Sequence, residues 1–186
     1  IPNLTSMGLC NIDGLDMAKN VEIVGAYGKM QEVSLAKDTT AGHWEIAGAP
    51  LEKPFVTFVN GFPEDLILKL QDAFGIKTLC NNIASGTEVI NNYGQVHMQT
   101  KMPIIYTSAD SVLQIACHED VYSNEELYHF CEIAREICQG EYEVGRVIAR
   151  PFAGHMGDFY RTQFRKDFSV EPKSKTILEK ILSPLC

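Results

Sequence analysis

The sequence predicts an α/β (α+β) fold in which helices cover a mixed β-sheet. Three observations predict it. From Pro54 onward, short apolar runs alternate with segments whose apolar residues recur every three or four positions. Two Ser-x-x-Glu signatures open such helical segments. The chain has 186 residues, 45% hydrophobic and 22% charged, a composition suited to a globular domain that buries a core.

Taken in order, the first 50 residues are rich in Gly, Asn and Lys with little periodicity, so loops and short elements are expected there. PFVTFVNGF, beginning at Pro54, reads as a strand ending in a turn. Pro63 suits the first turn of a helix that carries Leu66, Ile67, Leu70 and Phe74 on one side. Ile76 to Leu79 reads as a short strand. Ser85-Gly86-Thr87-Glu88 has capping-box spacing, so a helix follows with Val89, Ile90 and Tyr93 inward. MPIIYTS is a buried strand by its apolar run. Ser123 and Glu126 open the strongest helix, in which Leu127, Phe130, Cys131, Ala134, Ile137 and Cys138 form one apolar face that Gly140 ends. EVGRVIARPF is a further strand, and KTILEKIL a closing helix. The regular region spans about 51–170.

The formal net charge of −8 argues against non-specific nucleic-acid binding. No apolar run approaches the roughly 20 residues that span a bilayer, and IPNLTSMGL lacks the basic region and apolar core of a signal peptide. Cysteines stand at 10, 80, 117, 131, 138 and 186 without a CxxC pair or metal-like spacing. They are expected to be free thiols in a reducing cytoplasm.

Three stretches carry chemistry. Between Arg146 and Lys175 there are seven cations against three acids, a local excess of four. In a strand, Arg146, Ile148 and Arg150 share a face, and two such guanidiniums repel unless an anion lies between them. The alternative is that they pair with the acidic helix preceding them. In YTSADSVLQ, Ser108, Asp110 and Ser111 fall at a strand's C-terminal edge, where α/β sheets place ligands and where an aspartate accepts bonds from sugar hydroxyls. Alternatively, Asp110 and Ser111 only cap a following helix. In LAKDTTAGHWEIAG, threonine hydroxyls stand beside Lys37, Asp38 and His43, and such hydroxyls are weak nucleophiles until activated.

KDTTAGHWE, NGFP (60–63), ASGTE (84–88), YTSADSVLQIA (106–116), HED, EIARE (132–136) and VGRVIARPF (144–152) appear in the order found in phosphopentomutases. The chain resembles that family from Pro2 to about Leu182. These are metal-dependent enzymes of the alkaline-phosphatase superfamily that interconvert ribose 1-phosphate and ribose 5-phosphate, and the deoxyribose equivalents. The resemblance implies that residues 1–50 are a partial core-domain segment with the phosphoacceptor loop. Residues 51–170 are then the cap domain, and 171–186 the start of a return into the core.

It also implies that Thr39 is the phosphorylated residue, that Ser108 and Asp110 contact the pentose, and that Arg146 and Arg161 hold the 5-phosphate, with Ile148 in the same site. The family usually reads DTMTGHWE, so Ala41 replaces a second threonine. Manganese is the implied cofactor, with ligands expected before Pro2 and beyond Cys186, and no metal ligand is assigned within this chain. Pentose phosphates are the implied partners, and a cytoplasmic location is expected. Another superfamily phosphomutase or phosphatase, or a non-catalytic sugar-phosphate-binding module, are the alternatives.

Overall fold

The structure is a computed structural model that describes residues 2–19, 22–36 and 38–183, so Ile1, Lys37 and Cys186 lie outside the described residues. The chain forms two compact units, Ile1–Val33 and Ser34–Cys186. In the first, helix α1 (Pro2–Ser6) leads into a 3-10 turn at Leu9–Asn11. Gly8 makes that corner at φ 103°, and a Cβ there would overlap the Tyr27 ring.

The second unit holds helices α2 (Thr39–Ile46), α3 (Glu64–Phe74), α4 (Gly86–Thr100), α5 (Asn124–Ile137) and α6 (Ile177–Leu182). Its strands are β1 (Leu79–Ile83), β2 (Ile104–Thr107), β3 (Val112–His118), β4 (Arg146–His155), β5 (Asp158–Arg161) and β6 (Lys166–Ser169). They form one mixed sheet in the order β1-β2-β3-β4-β5. β1 runs parallel to β2 and β3 parallel to β4, while β2–β3 and β4–β5 are antiparallel. The ten-residue β4 pairs with β6 through Arg146–Ala149 and with β5 through Phe152–His155. The expected mixed sheet covered by helices is therefore the fold.

Alternation along the strands divides the core in two. On one face Ile105, Leu113, Ile115, Val147 and Ala149 pack against Leu66 and Leu70 of α3 and Leu127, Cys131 and Ala134 of α5. On the other, Ile104, Tyr106, Ala116, Phe152 and Phe159 pack against Val89 and Ile90 of α4. A smaller cluster gathers Ala41 and Trp44 of α2 with Ala49, Leu51 and Val170. The α5 capping box is complete, with Ser123 accepting from Glu126 N–H and the Glu126 carboxylate accepting from Ser123 N–H. At Ser85 only the first half forms, the hydroxyl accepting from Glu88 N–H at 3.2 Å.

Several expectations are corrected. PFVTFVNGF is not a strand: it is irregular apart from an isolated bridge between Val59 and Gly61. Its backbone is satisfied by side chains instead, since Ser111 donates to the Val56 carbonyl and the Asn81 amide bonds both Phe62 N–H and C=O. Pro63 is the N-cap of α3, just ahead of its first turn. The strand expected at Ile76–Leu79 begins at Leu79 and runs to Ile83, bulging where Cys80 and Asn81 take positive φ. No helix follows Asp110: Thr107 Oγ1 donates to the Val112 carbonyl at 2.7 Å across a tight turn, and β3 returns antiparallel to β2.

Candidate active site

The register of β3 against β4 builds the site floor. Val112 pairs with Arg146, Gln114 with Ile148 and Ala116 with Arg150, so all six project to the face that α4 covers. Ala116 and Phe152 fill that face under the helix. Beyond the start of α4 the apolar filling ends, and a cavity of about 310 Å³ opens over the polar end of the strands. That volume is at the lower end of the range for small-ligand sites, about 300 to 1,000 Å³.

Ser108, Asp110, Arg146 and Ile148 line this one cavity, with Ser85, Gly86, Gln114, Arg150 and Arg165. Ile148 is buried, whereas Ser108 and Asp110 sit in the β2–β3 turn with Asp110 exposed. Arg161 is not on the cavity wall but reaches its rim, where a Cβ on Gly86 would lie 3.5 Å from Arg161 Nη1 and 2.9 Å from Tyr106 Oη. Arginine and Asp110 thus meet at one place. A separate cavity of about 580 Å³ lies among Pro50–Val56, Gly140, Glu143 and Lys173 and holds none of the expected residues.

Thr39 is exposed and opens α2. Asp38 caps this helix, its Oδ1 accepting from Thr40 N–H at 2.8 Å. The other carboxylate oxygen accepts from Arg146 Nη2 at 2.9 Å and Nε at 3.3 Å. One aspartate therefore ties the threonine-bearing helix to the cavity wall. His43 Nδ1 lies 2.7 Å from the Thr39 carbonyl oxygen, so its ring engages backbone, not the hydroxyl.

The arginines have different partners. Arg146 Nη1 also donates to Asp167 at 3.0 Å, and Arg165 holds both oxygens of Asp167 at 2.7 and 2.6 Å. Neither partner of Arg146 lies on α5, so the pairing with the preceding helix does not occur. Burial pulls the Arg146 guanidinium down, but its bonds to Asp38 and Asp167 outweigh this and its pKa rises above the ordinary value. For Asp167, burial acts upward and the two arginines prevail, leaving its carboxyl below the usual range. Arg150 donates to neutral Gln114 at 3.0 Å. Burial, with the positive charges of Arg165 and Arg161, holds it below the ordinary guanidinium value. Burial raises the Tyr106 hydroxyl, while Arg150, Arg161 and Arg165 draw it back. Three arginines thus line one small cavity, with Arg161 at its rim.

Arg165, Gln114 and the Ser85-Gly86 corner are site residues that the sequence reading did not single out. The signal for the last was present: a Ser-Gly before a helix that starts beside a strand's C-terminal edge. Arg165 falls within the cationic stretch from Arg146 to Lys175, whereas Gln114 carries no local signal. Among the described residues, no three His, Cys, Asp or Glu side chains are grouped to hold a metal ion, so the residues present do not fit the implied manganese. The five described cysteines are unpaired, and no described helix is long and apolar enough to cross a membrane.

No family model matches the chain. It is 55% identical over 183 residues to a phosphopentomutase of Carboxydothermus hydrogenoformans, covering 98% of this chain and 47% of that protein. Against phosphopentomutases of Alkaliphilus oremlandii and Acetivibrio thermocellus it is 56% identical over 180 and 182 residues, covering 96% of this chain and 46% of each of those proteins. Over nearly its whole length the chain matches the middle part of phosphopentomutases. It spans about half the length of the curated relatives it matches, and within that phosphopentomutase segment lie both Thr39 and the arginine-lined cavity.

Proposed function

We propose that this chain carries the phosphoacceptor and sugar-phosphate contacts of a cytoplasmic phosphopentomutase, acting on (deoxy)ribose 1-phosphate and (deoxy)ribose 5-phosphate. The observation that carries the reading is the Asp38–Arg146 bond, which joins the helix of Thr39 to a cavity lined by Ser108, Asp110 and Ile148. In each half-reaction a phosphorus–oxygen bond to Thr39 Oγ breaks or forms as one to the sugar forms or breaks, so the phosphoryl group is never released to water. Asp110 and Ser108 orient the pentose, and Arg146 and Arg161 hold its phosphate. Burial of the sugar against Ile148 excludes water, which would otherwise compete as acceptor. No step here is assigned to the manganese that the family implies.

The test is to incubate the native protein with ribose 1-phosphate and separately with 2-phosphoglycerate. Conversion of the first to ribose 5-phosphate, with loss of turnover in Thr39→Ala, is expected. Turnover of 2-phosphoglycerate alone would assign a different phosphomutase, and turnover of neither would leave a binding module.

A further inference from the structure

We infer that Arg150, rather than Arg146 alone, supplies uncommitted positive charge that a phosphate monoester meets on the wall of this cavity, whose rim Arg161 reaches, likewise without an ion pair among the described residues. The inference rests on the pentose phosphate reading for the identity of the ligand, and on charge accounting for the position. Arg146 and Arg165 line the cavity, but the carboxylates of Asp38 and Asp167 neutralise both. That four-membered network carries no net charge. Arg150 lines the same wall, makes no ion pair among the described residues, and has its Nε tied to the neutral Gln114.

Half-burying a guanidinium beside two more arginines is unfavourable unless an anion repays it. The bond to Gln114 also has a geometric consequence. Taking up Nε fixes the plane of the fork and leaves the two Nη groups as donors, the pair suited to two oxygens of one phosphate. Gln114, paired to Ile148 in the ladder, is a positioning residue. The Arg150 side of the cavity is where the dianion gains most, because a phosphate beside Arg146 must share that guanidinium with two carboxylates.

The experiment titrates inorganic phosphate into the native protein and its Arg150→Gln and Arg150→Lys variants by calorimetry. Loss of a charge-assisted pair weakens binding about tenfold or more. That loss is expected in Arg150→Gln, with partial rescue in Arg150→Lys. A merely structural arginine would lower the melting temperature and leave phosphate affinity unchanged, and that result overturns the inference. Should Arg150→Gln fail to fold, the Arg150 Nε–Hε resonance of the native protein decides: a shift saturating with phosphate supports the inference, and its absence overturns it. Ribose 1-phosphate turnover by the native protein is measured in parallel. Weakened phosphate binding in Arg150→Gln with no native turnover would refute the mutase reading and keep the subsite. Native turnover with unchanged phosphate affinity would refute the subsite alone.

Discussion

Replacing Arg146 with methionine isolates the contact on which the site's assembly depends. The Asp38 side chain is fully buried and Arg146 is 13% exposed. One carboxylate oxygen keeps its cap bond to Thr40, and the other loses two donors at 2.9 and 3.3 Å. Breaking a buried pair by removing one partner costs about 3–5 kcal/mol. Since Arg146 retains some contact with solvent and Asp167 keeps Arg165, the lower end applies, about 3 kcal/mol. Methionine fills much of the arginine stem's volume, so little of that cost is packing. Against a typical stability of about 5–15 kcal/mol the loss is large. Urea unfolding followed by fluorescence reads it directly, because the sole tryptophan, Trp44, sits on α2 itself. A double-mutant cycle with Asp38→Asn, which keeps a capping side chain, separates the pair from the cap. A loss below about 1 kcal/mol, with no coupling in the cycle, would mean that the pair is screened like a surface bridge and does not hold α2 to the cavity wall.

Two further outcomes follow from groups outside the cavity. His97 is buried, with Nδ1 2.8 Å from the Met102 carbonyl oxygen and Nε2 accepting from His118 N–H at 2.9 Å, so the neutral ring is the form that fits. Burial, aided by His118 and opposed by the Met102 bond, lowers its pKa below 6.5. The unfolded chain then binds the proton more readily. Stability from this group is complete above pH 6.5 and is lost as pH falls toward the depressed value. Unfolding free energies from pH 7.5 to 5 should fall, with a smaller slope in His97→Gln; equal slopes would exclude His97 as the source. In α4, a Cβ on Gly94 would lie 2.8 Å from Phe159 Cε2. With three ring atoms that close, the overpacking cost falls in the upper part of about 1–3 kcal/mol, above the roughly 1 kcal/mol of helix propensity gained, so Gly94→Ala should lower the melting temperature by a few degrees. A rise would show that the Phe159 ring gives way.

What the sequence disclosed and what it concealed divide by the range of the interaction involved. The caps at Ser85 and Ser123 and the apolar face of α5 are set within a few residues, and these elements stand where expected. PFVTFVNGF misleads because its aromatics are apolar for packing: Phe55 meets the Trp44 ring edge-on and Phe58 joins Phe62, while distant side chains satisfy the backbone. Asp110-Ser111 has the chemistry of a helix cap, yet it turns a hairpin, since the run Val112–His118 is equally apolar in either period and its burial on both faces is a tertiary fact. Strands β5 and β6 are four residues each and largely polar, so only the long β4 edge defines them. The site follows the same rule. Period two placed Arg146, Ile148 and Arg150 on one face correctly, but a strand read alone makes the two arginines equivalent. Their difference comes from Asp38, 108 residues away in sequence, which takes Arg146 and leaves Arg150 to the cavity. A cluster of like charges in a sequence therefore points to one arginine-lined cavity, whereas which of its cations are paired is decided by carboxylates that the fold brings from elsewhere.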